Sequence, residues 1–151
     1  YYHKYKGGNS RLDTIQALIL NEKLKLLDIN NEKRRNNANY YIQLLKHNKN
    51  IILPKFNNFC IPVWHLFVIR LENKKIRDNL LEYLKKNNIE VGIHYPISIH
   101  NLEAYSELNN QKNNLIICED YSKKILSLPM YPNLTKKNIE TICVLINKFF
   151  I

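Results

Sequence analysis

Glycine is nearly missing from this chain: Gly7, Gly8 and Gly92 are the only three in 151 residues. No Gly-rich phosphate-cradling loop is present, and no G-x-S-x-G elbow or paired-carboxylate motif takes its place. Cysteine is equally sparse. Cys60, Cys118 and Cys143 are odd in number, far apart and set among apolar residues, which argues against a disulfide framework and a CxxC-type metal site; small core residues in a reducing compartment are expected instead. No apolar run approaches the roughly 20 residues that cross a bilayer. The opening Tyr1-Tyr2-His3-Lys4-Tyr5-Lys6 lacks the apolar centre of a signal peptide, so a cytoplasmic protein without a membrane partner is expected. There is no internal repeat and no linker of Gly, Ser or Pro. An initial methionine is also lacking and the chain opens within a loop-like stretch, as expected for a piece of a longer protein.

What is present points to a folded domain. A hydrophobic fraction of 45% with 11% aromatics is too apolar for a disordered chain, and 151 residues suffice for one ordinary core. The formal charge of +10 suits an anionic partner. However, the lysines are scattered among asparagines and isoleucines, and the tightest group is only Lys33-Arg34-Arg35. A compositionally biased genome produces the same mixture, so the charge alone selects no partner.

Leu12, Ile15, Ile19, Leu24 and Leu27 mark an apolar helical face. Asp28-Ile29-Asn30-Asn31 interrupts it before Ala38, Tyr41, Ile42 and Leu45 resume the spacing, giving two helices or one bent one. Ile51-Ile52-Leu53-Pro54 reads as a short extended piece and Val63–Ile69 as a buried strand. Asn73 caps a helix ending at Asn87-Asn88, and Ile89, Val91 and Ile93 alternate like a half-buried strand running into Pro96. A helix over Leu115–Ile125, a short apolar segment Ser127–Met130 and a last helix capped by Thr135 complete the order. The expected class is α+β, a small sheet covered by helices.

Two polar constellations stand out. In Gly7-Gly8-Asn9-Ser10-Arg11-Leu12-Asp13, Ser10 is a natural N-cap with Asp13 three residues on, and the glycine pair leaves Asn9 and Arg11 beside helix-start amides, where an anion is held. Phosphate binding and a plain loop-to-helix junction both remain open for these residues. In His94-Tyr95-Pro96-Ile97-Ser98-Ile99-His100, two imidazoles and a phenol sit at a strand exit, either contacting substrate or bonding loop backbone. A metal would need a third ligand, for which only Glu103 is near in sequence. His65 reads as a satisfied core histidine, and Cys60 has no base near it in sequence.

Taken together, these segments resemble the C-terminal part of the DegT/StrS-type sugar aminotransferases. The matching stretches are Lys4-Tyr5, Gly8 to Asp13, Ile15-Gln16-Ala17, Lys23-Leu24, Leu27-Asp28, Asn31 to Arg34, Ala38-Asn39-Tyr40, Trp64 to Phe67, Gly92 to Pro96, His100 and Leu126 to Pro132. They cover the chain in order; Leu18 and Ser98 depart from the residues common at their positions.

The resemblance implies the small domain of a fold-type I enzyme dependent on pyridoxal 5′-phosphate. Residues 1–28 would form an interface loop and helix from the end of the large domain, and residues 29–151 the C-terminal small domain. It also implies a homodimer with active sites between subunits, in which Asn9 reaches the phosphate of the partner's cofactor and Arg11 belongs to the same interface. His94, Tyr95 and His100 would line the pocket for a nucleotide-linked keto sugar that receives an amino group from glutamate; no nucleic-acid partner is implied. The Schiff-base lysine, the aspartate facing the pyridine nitrogen and the stacking aromatic belong to the larger N-terminal domain, so this chain alone is expected to be inactive. Two other classes are alternatives: a basic module for single-stranded nucleic acid, and a degenerate homologue kept for dimerisation.

Overall fold

The computed structural model describes residues 1–107 and 115–151. Its helices are α1 (Thr14–Leu24), α2 (Leu27–Leu45), α3 (Lys74–Lys86), α4 (Ile116–Lys124) and α5 (Lys136–Phe149). Its strands are β1 (Ile51–Ile52), β2 (Phe67–Leu71) and β3 (Ile125–Leu128), joined in one antiparallel sheet of order β1-β2-β3. The α+β expectation holds.

Helix α1 begins one turn later than Ser10 would place it. Residues 10–13 remain without regular structure, and Asp13 is the N-cap, its own N–H donating to Gln16 Oε1 at 3.3 Å. The Asp13–Gln16 pair offers the same three-residue reciprocity as Ser10–Asp13, and Gln16 has the side-chain length that a capping box uses to reach back to the cap N–H. The interruption between the first two helices also moves, from residues 28–31 to Lys25–Leu26. Asp28 falls in the first turn of α2, where the helix dipole favours a carboxylate. The asparagines that follow are carried by the packing of Ala38, Tyr41 and Leu45 further along.

One face of the sheet builds the core. Phe67, Ile69 and Leu71 of β2 alternate inward against Ala38, Tyr41 and Leu45 of α2, Leu80 and Leu84 of α3, and Ile139, Ile142, Cys143 and Ile146 of α5. The Tyr41 and Phe67 rings stack at 4.8 Å, and the Tyr41 hydroxyl donates to Pro129 O at 3.1 Å, the partner a buried phenol requires. Arg34 and Asn37 donate to Met130 O and Tyr131 O, each at 3.1 Å. The run after β3 is thereby fastened to α2. Burial pushes the Cys143 thiol up to about 12, keeping it a small apolar core residue. Asn73 and Thr135 cap α3 and α5 as expected, accepting from Ile76 N and Asn138 N.

Four further local expectations fail. The strand expected at Val63–Ile69 lies at Phe67–Leu71, because Trp64 takes a left-handed φ of 50° and turns its indole against Phe56 and Phe67. His65 is consequently exposed and is not a core histidine. Around Ile89–Ile93 pairing is limited to an antiparallel bridge between Gly92 and Ser127, after which the chain turns at His94–Pro96. Cys60 and Cys118 are exposed, and only Cys143 is a core residue. Among the described residues, no helix is long and apolar enough to cross a membrane.

Candidate functional site

The second face of the sheet positions the site. By the two-residue alternation, Val68 and Arg70 of β2 and Ile125 and Ser127 of β3 share this face, with Val68 opposite Ser127 and Arg70 opposite Ile125. Helix α4 covers part of it.

Backbone bonds between Gly92 and Ser127, 3.1 and 2.7 Å long, hold the entering chain against β3. His94 then folds back so that its Nδ1 lies 3.0 Å from Ser127 Oγ. A hydroxyl donates or accepts, so either imidazole tautomer is served and Nε2 remains for another partner. Gly92 is required here by space: a Cβ at this position would come within 2.7 Å of His94 Cε1. Tyr95 follows with 59% of its surface exposed. His94, Tyr95, Ser98, Cys118, Tyr121 and Ile125 line a cavity of about 330 Å³ together with neighbouring isoleucines.

His100 has a different environment. It is buried at 5% exposure in a 3-10 turn, Ile99–Asn101, with Nε2 2.9 Å from Glu119 Oε1 in α4. Asn101 Nδ2 donates to the same carboxylate oxygen at 3.1 Å. These bonds, His100 first, hold the Glu119 carboxyl below its ordinary value. Ser98 is also buried, and Cys118 Sγ lies 3.5 Å from its Oγ. His100 thus anchors the loop to α4, while His94 and Tyr95 face the cavity. Glu119 is the acid that meets His100; Glu103, the nearer one in sequence, is exposed.

The first residues run beside this loop. Tyr1 stands edge-on to Tyr95 at 5.2 Å, Ala104 N donates to His3 O at 3.1 Å, and Lys6 pairs with Glu107. Asn9 and Arg11 lie further along, both exposed. Among the described residues, no hydrogen bond or ion pair joins them to His94, Tyr95 or His100. Ser127, Glu119 and Gly92 complete the site and were not singled out as site residues by sequence, since their partners lie up to 35 positions away along the chain and meet them only in the fold.

The described chain is thus a three-stranded antiparallel sheet with helices over its core face and a histidine-bearing loop on the other. The chain belongs to the DegT/DnrJ/EryC1/StrS aminotransferase family, whose model matches residues 1–147. It is 40% identical over 149 residues to the dTDP-3-amino-3,6-dideoxy-alpha-D-galactopyranose transaminase of Aneurinibacillus thermoaerophilus, covering 99% of this chain and 39% of that protein. The structure is similar to that of S. venezuelae DesV in complex with a ketimine intermediate, with a TM-score of 0.85 at 34% identity over 99% of this chain and 39% of that one. It is also similar to NtdA from Bacillus subtilis with bound cofactor PMP, with a TM-score of 0.75 at 26% identity over 99% of this chain and 38% of that one. The chain therefore spans about two fifths of the length of these relatives.

Proposed function

We propose that this chain is the C-terminal segment of a nucleotide-sugar aminotransferase that uses pyridoxal 5′-phosphate and works as a homodimer. The observation that carries the reading is the His94–Ser127 contact, which fixes an imidazole at the edge of a cavity beside an exposed phenol, in a chain whose family is that of the sugar aminotransferases. His94 Nε2 and the Tyr95 hydroxyl are the polar atoms offered to sugar hydroxyls or diphosphate oxygens of a nucleotide-linked keto sugar. His100, tied to Glu119, positions this loop and contacts substrate less directly than its neighbours.

The chain's residues fit one end of the cofactor. An amide and a guanidinium, Asn9 and Arg11, are chemically suited to a phosphate and stand exposed on an extended segment, as reaching into a neighbouring subunit requires. The aldehyde end finds no counterpart here. Every described lysine is exposed except Lys124, which is paired with Asp120 at 2.7 Å, whereas a nucleophilic lysine is desolvated or set beside another cation. When bound, the cofactor supplies the electron sink for amino transfer from glutamate to the keto carbon. The lysine that holds it is assigned to the larger part of the intact protein.

The test is amino transfer by the intact protein carrying this chain, followed by mass spectrometry with glutamate and dTDP- or UDP-linked 3- and 4-keto sugars. Formation of an aminated nucleotide sugar, with a KM raised about tenfold or more in His94→Ala, is the expected result. Cofactor-loaded protein that aminates none of these sugars, or a His94→Ala variant with unchanged KM, would overturn the reading.

A further inference from the structure

A second cavity, of about 430 Å³, adjoins the His94 pocket: Tyr121 and Ile125 are walls of both. Leu53, Pro54, Val68 and Ile69 contribute apolar lining, and Arg70 and Lys55 contribute two cations. Arg70 is half-buried, and its Cζ sits 4.0 Å from the centroid of the Tyr121 ring. The ring face braces the guanidinium through a cation–π contact and leaves its edge donors available.

This charge is not compensated internally. Among the described residues, ion pairs engage Lys6, Lys25, Arg77, His100 and Lys124, and neither Arg70 nor Lys55 has a carboxylate within 4.0 Å. Asp120, next to Tyr121, is committed to Lys124. Two cations beside an apolar wall, one of them partly desolvated, are favourable only if an anion or water completes them. An arginine fork on a rigid strand is suited to an oxyanion held by two parallel bonds.

The register fixes where this station lies relative to His94. Ser127, which holds His94, faces Val68, and Arg70 is the next residue of β2 on the same face. The two are diagonal neighbours, about 7–8 Å apart. We propose that Arg70, braced by Tyr121 and flanked by Lys55, is a phosphoryl-binding subsite on the open face of the sheet, one diagonal step from the His94 pocket. Two cations match the charge of a phosphoryl group better than that of a single carboxylate. The link to a nucleotide diphosphate rests on the proposed function; oxyanion binding itself does not.

The core is built by this chain's own residues, from the inner face of the sheet and from α2, α3 and α5, so the 151-residue chain is a fair object for the test. The Arg70 Nε–H and Tyr121 ring resonances are followed during titration with inorganic pyrophosphate, thymidine diphosphate and glutamate. Pyrophosphate is expected to shift both resonances, with an apparent Kd at least tenfold higher in Arg70→Gln and severalfold higher in Lys55→Gln. Lys55 is exposed, so its variant keeps the test open if Arg70→Gln is poorly folded. Thymidine diphosphate moving Arg70 and His94 resonances together would place the nucleotide of a sugar substrate here. Movement of Arg70 alone would make this a site for free phosphate compounds and would count only against the substrate link. Equal response to glutamate would overturn the phosphoryl assignment, and no response of Arg70 to millimolar pyrophosphate would overturn the subsite. Failure of amino transfer with pyrophosphate binding intact would refute the proposed function and leave this subsite standing.

Discussion

His100 Nε2 stands 2.9 Å from Glu119 Oε1, so a buried imidazole on the loop is tied to a carboxylate in the first turn of α4. Because this bond and that of Asn101 lower the Glu119 pKa, the ionised carboxylate is favoured in the fold. The resulting stability is fully present above its ordinary value of 4.5 and is lost as pH falls through the depressed value. Glu119→Gln keeps an acceptor oxygen but cannot ionise. The difference in Tm between wild type and Glu119→Gln should therefore be largest above pH 5 or so and shrink as acid protonates Glu119. A gap independent of pH would show that the interaction does not depend on the carboxylate charge.

Gly92→Ala should displace the site without dismantling the fold. The new methyl group would press on His94 Cε1, so the imidazole must leave Ser127 Oγ or the bridge to β3 must loosen. Because the clash is with the end of a half-buried side chain that can swing away, the cost is that of one hydrogen bond, about 0.5–1.5 kcal/mol. Denaturant titration should show a loss in that range, with altered His94 ring resonances while α5 and the core of β2 remain native. An unshifted His94 spectrum would mean that the loop accommodates the methyl group elsewhere.

The helices with strong caps and regular apolar spacing were legible from sequence, as at Asn73 and Thr135, because those signals are local. The expectation at Val63–Ile69 slipped because an apolar run rich in β-branched and aromatic residues does not reveal a residue such as Trp64, whose left-handed φ accompanies packing against Phe56 and Phe67. The histidine loop was found by its residue types. Its division of labour was not: whether a histidine anchors the loop or faces the cavity depends on Glu119 and Ser127, which approach only through the sheet and α4. Arg70 gave no signal at all, reading as one more charge at the end of an apolar strand.

Helix α1 has no buried residue, and Leu12, Ile15 and Ile19 beside and within it are exposed by 62%, 72% and 51%. Apolar patches of this kind are covered in a working assembly; in the proposed reading, the rest of the intact protein and its partner subunit cover this one. The chain alone should therefore self-associate with rising concentration in sedimentation velocity, and Ile15→Asp should shift it toward monomer. A monomer at all concentrations, unchanged by the substitution, would argue against an interface role for α1.

Mixed with pyridoxal 5′-phosphate, the chain alone should hold no covalently bound cofactor. Its described lysines are exposed or ion-paired, without the desolvation that makes an amine nucleophilic. Borohydride reduction followed by peptide mass spectrometry should find no single lysine modified stoichiometrically. One lysine labelled to completion, and protected by glutamate, would contradict the assignment of that role to another part of the protein.

In the proposed dimer of the intact protein, Asn9 is the residue assigned to the partner's cofactor. Asn9→Ala removes a neutral amide N–H donor to a phosphate oxygen and leaves the reacting end of the cofactor untouched. Cofactor affinity should fall by about 1–3 kcal/mol, the range for leaving a buried polar group unsatisfied, and saturating cofactor should restore most of the turnover. Direction across the interface can be read from a mixed dimer in which one subunit carries Asn9→Ala and the other lacks its cofactor-binding lysine. The lysine-bearing site then belongs to the Asn9→Ala subunit and receives an intact Asn9 from its neighbour, so it should bind cofactor with normal affinity in an equilibrium titration. If that site is as weak as the one in the Asn9→Ala homodimer, Asn9 acts within its own subunit and the cross-subunit role is wrong.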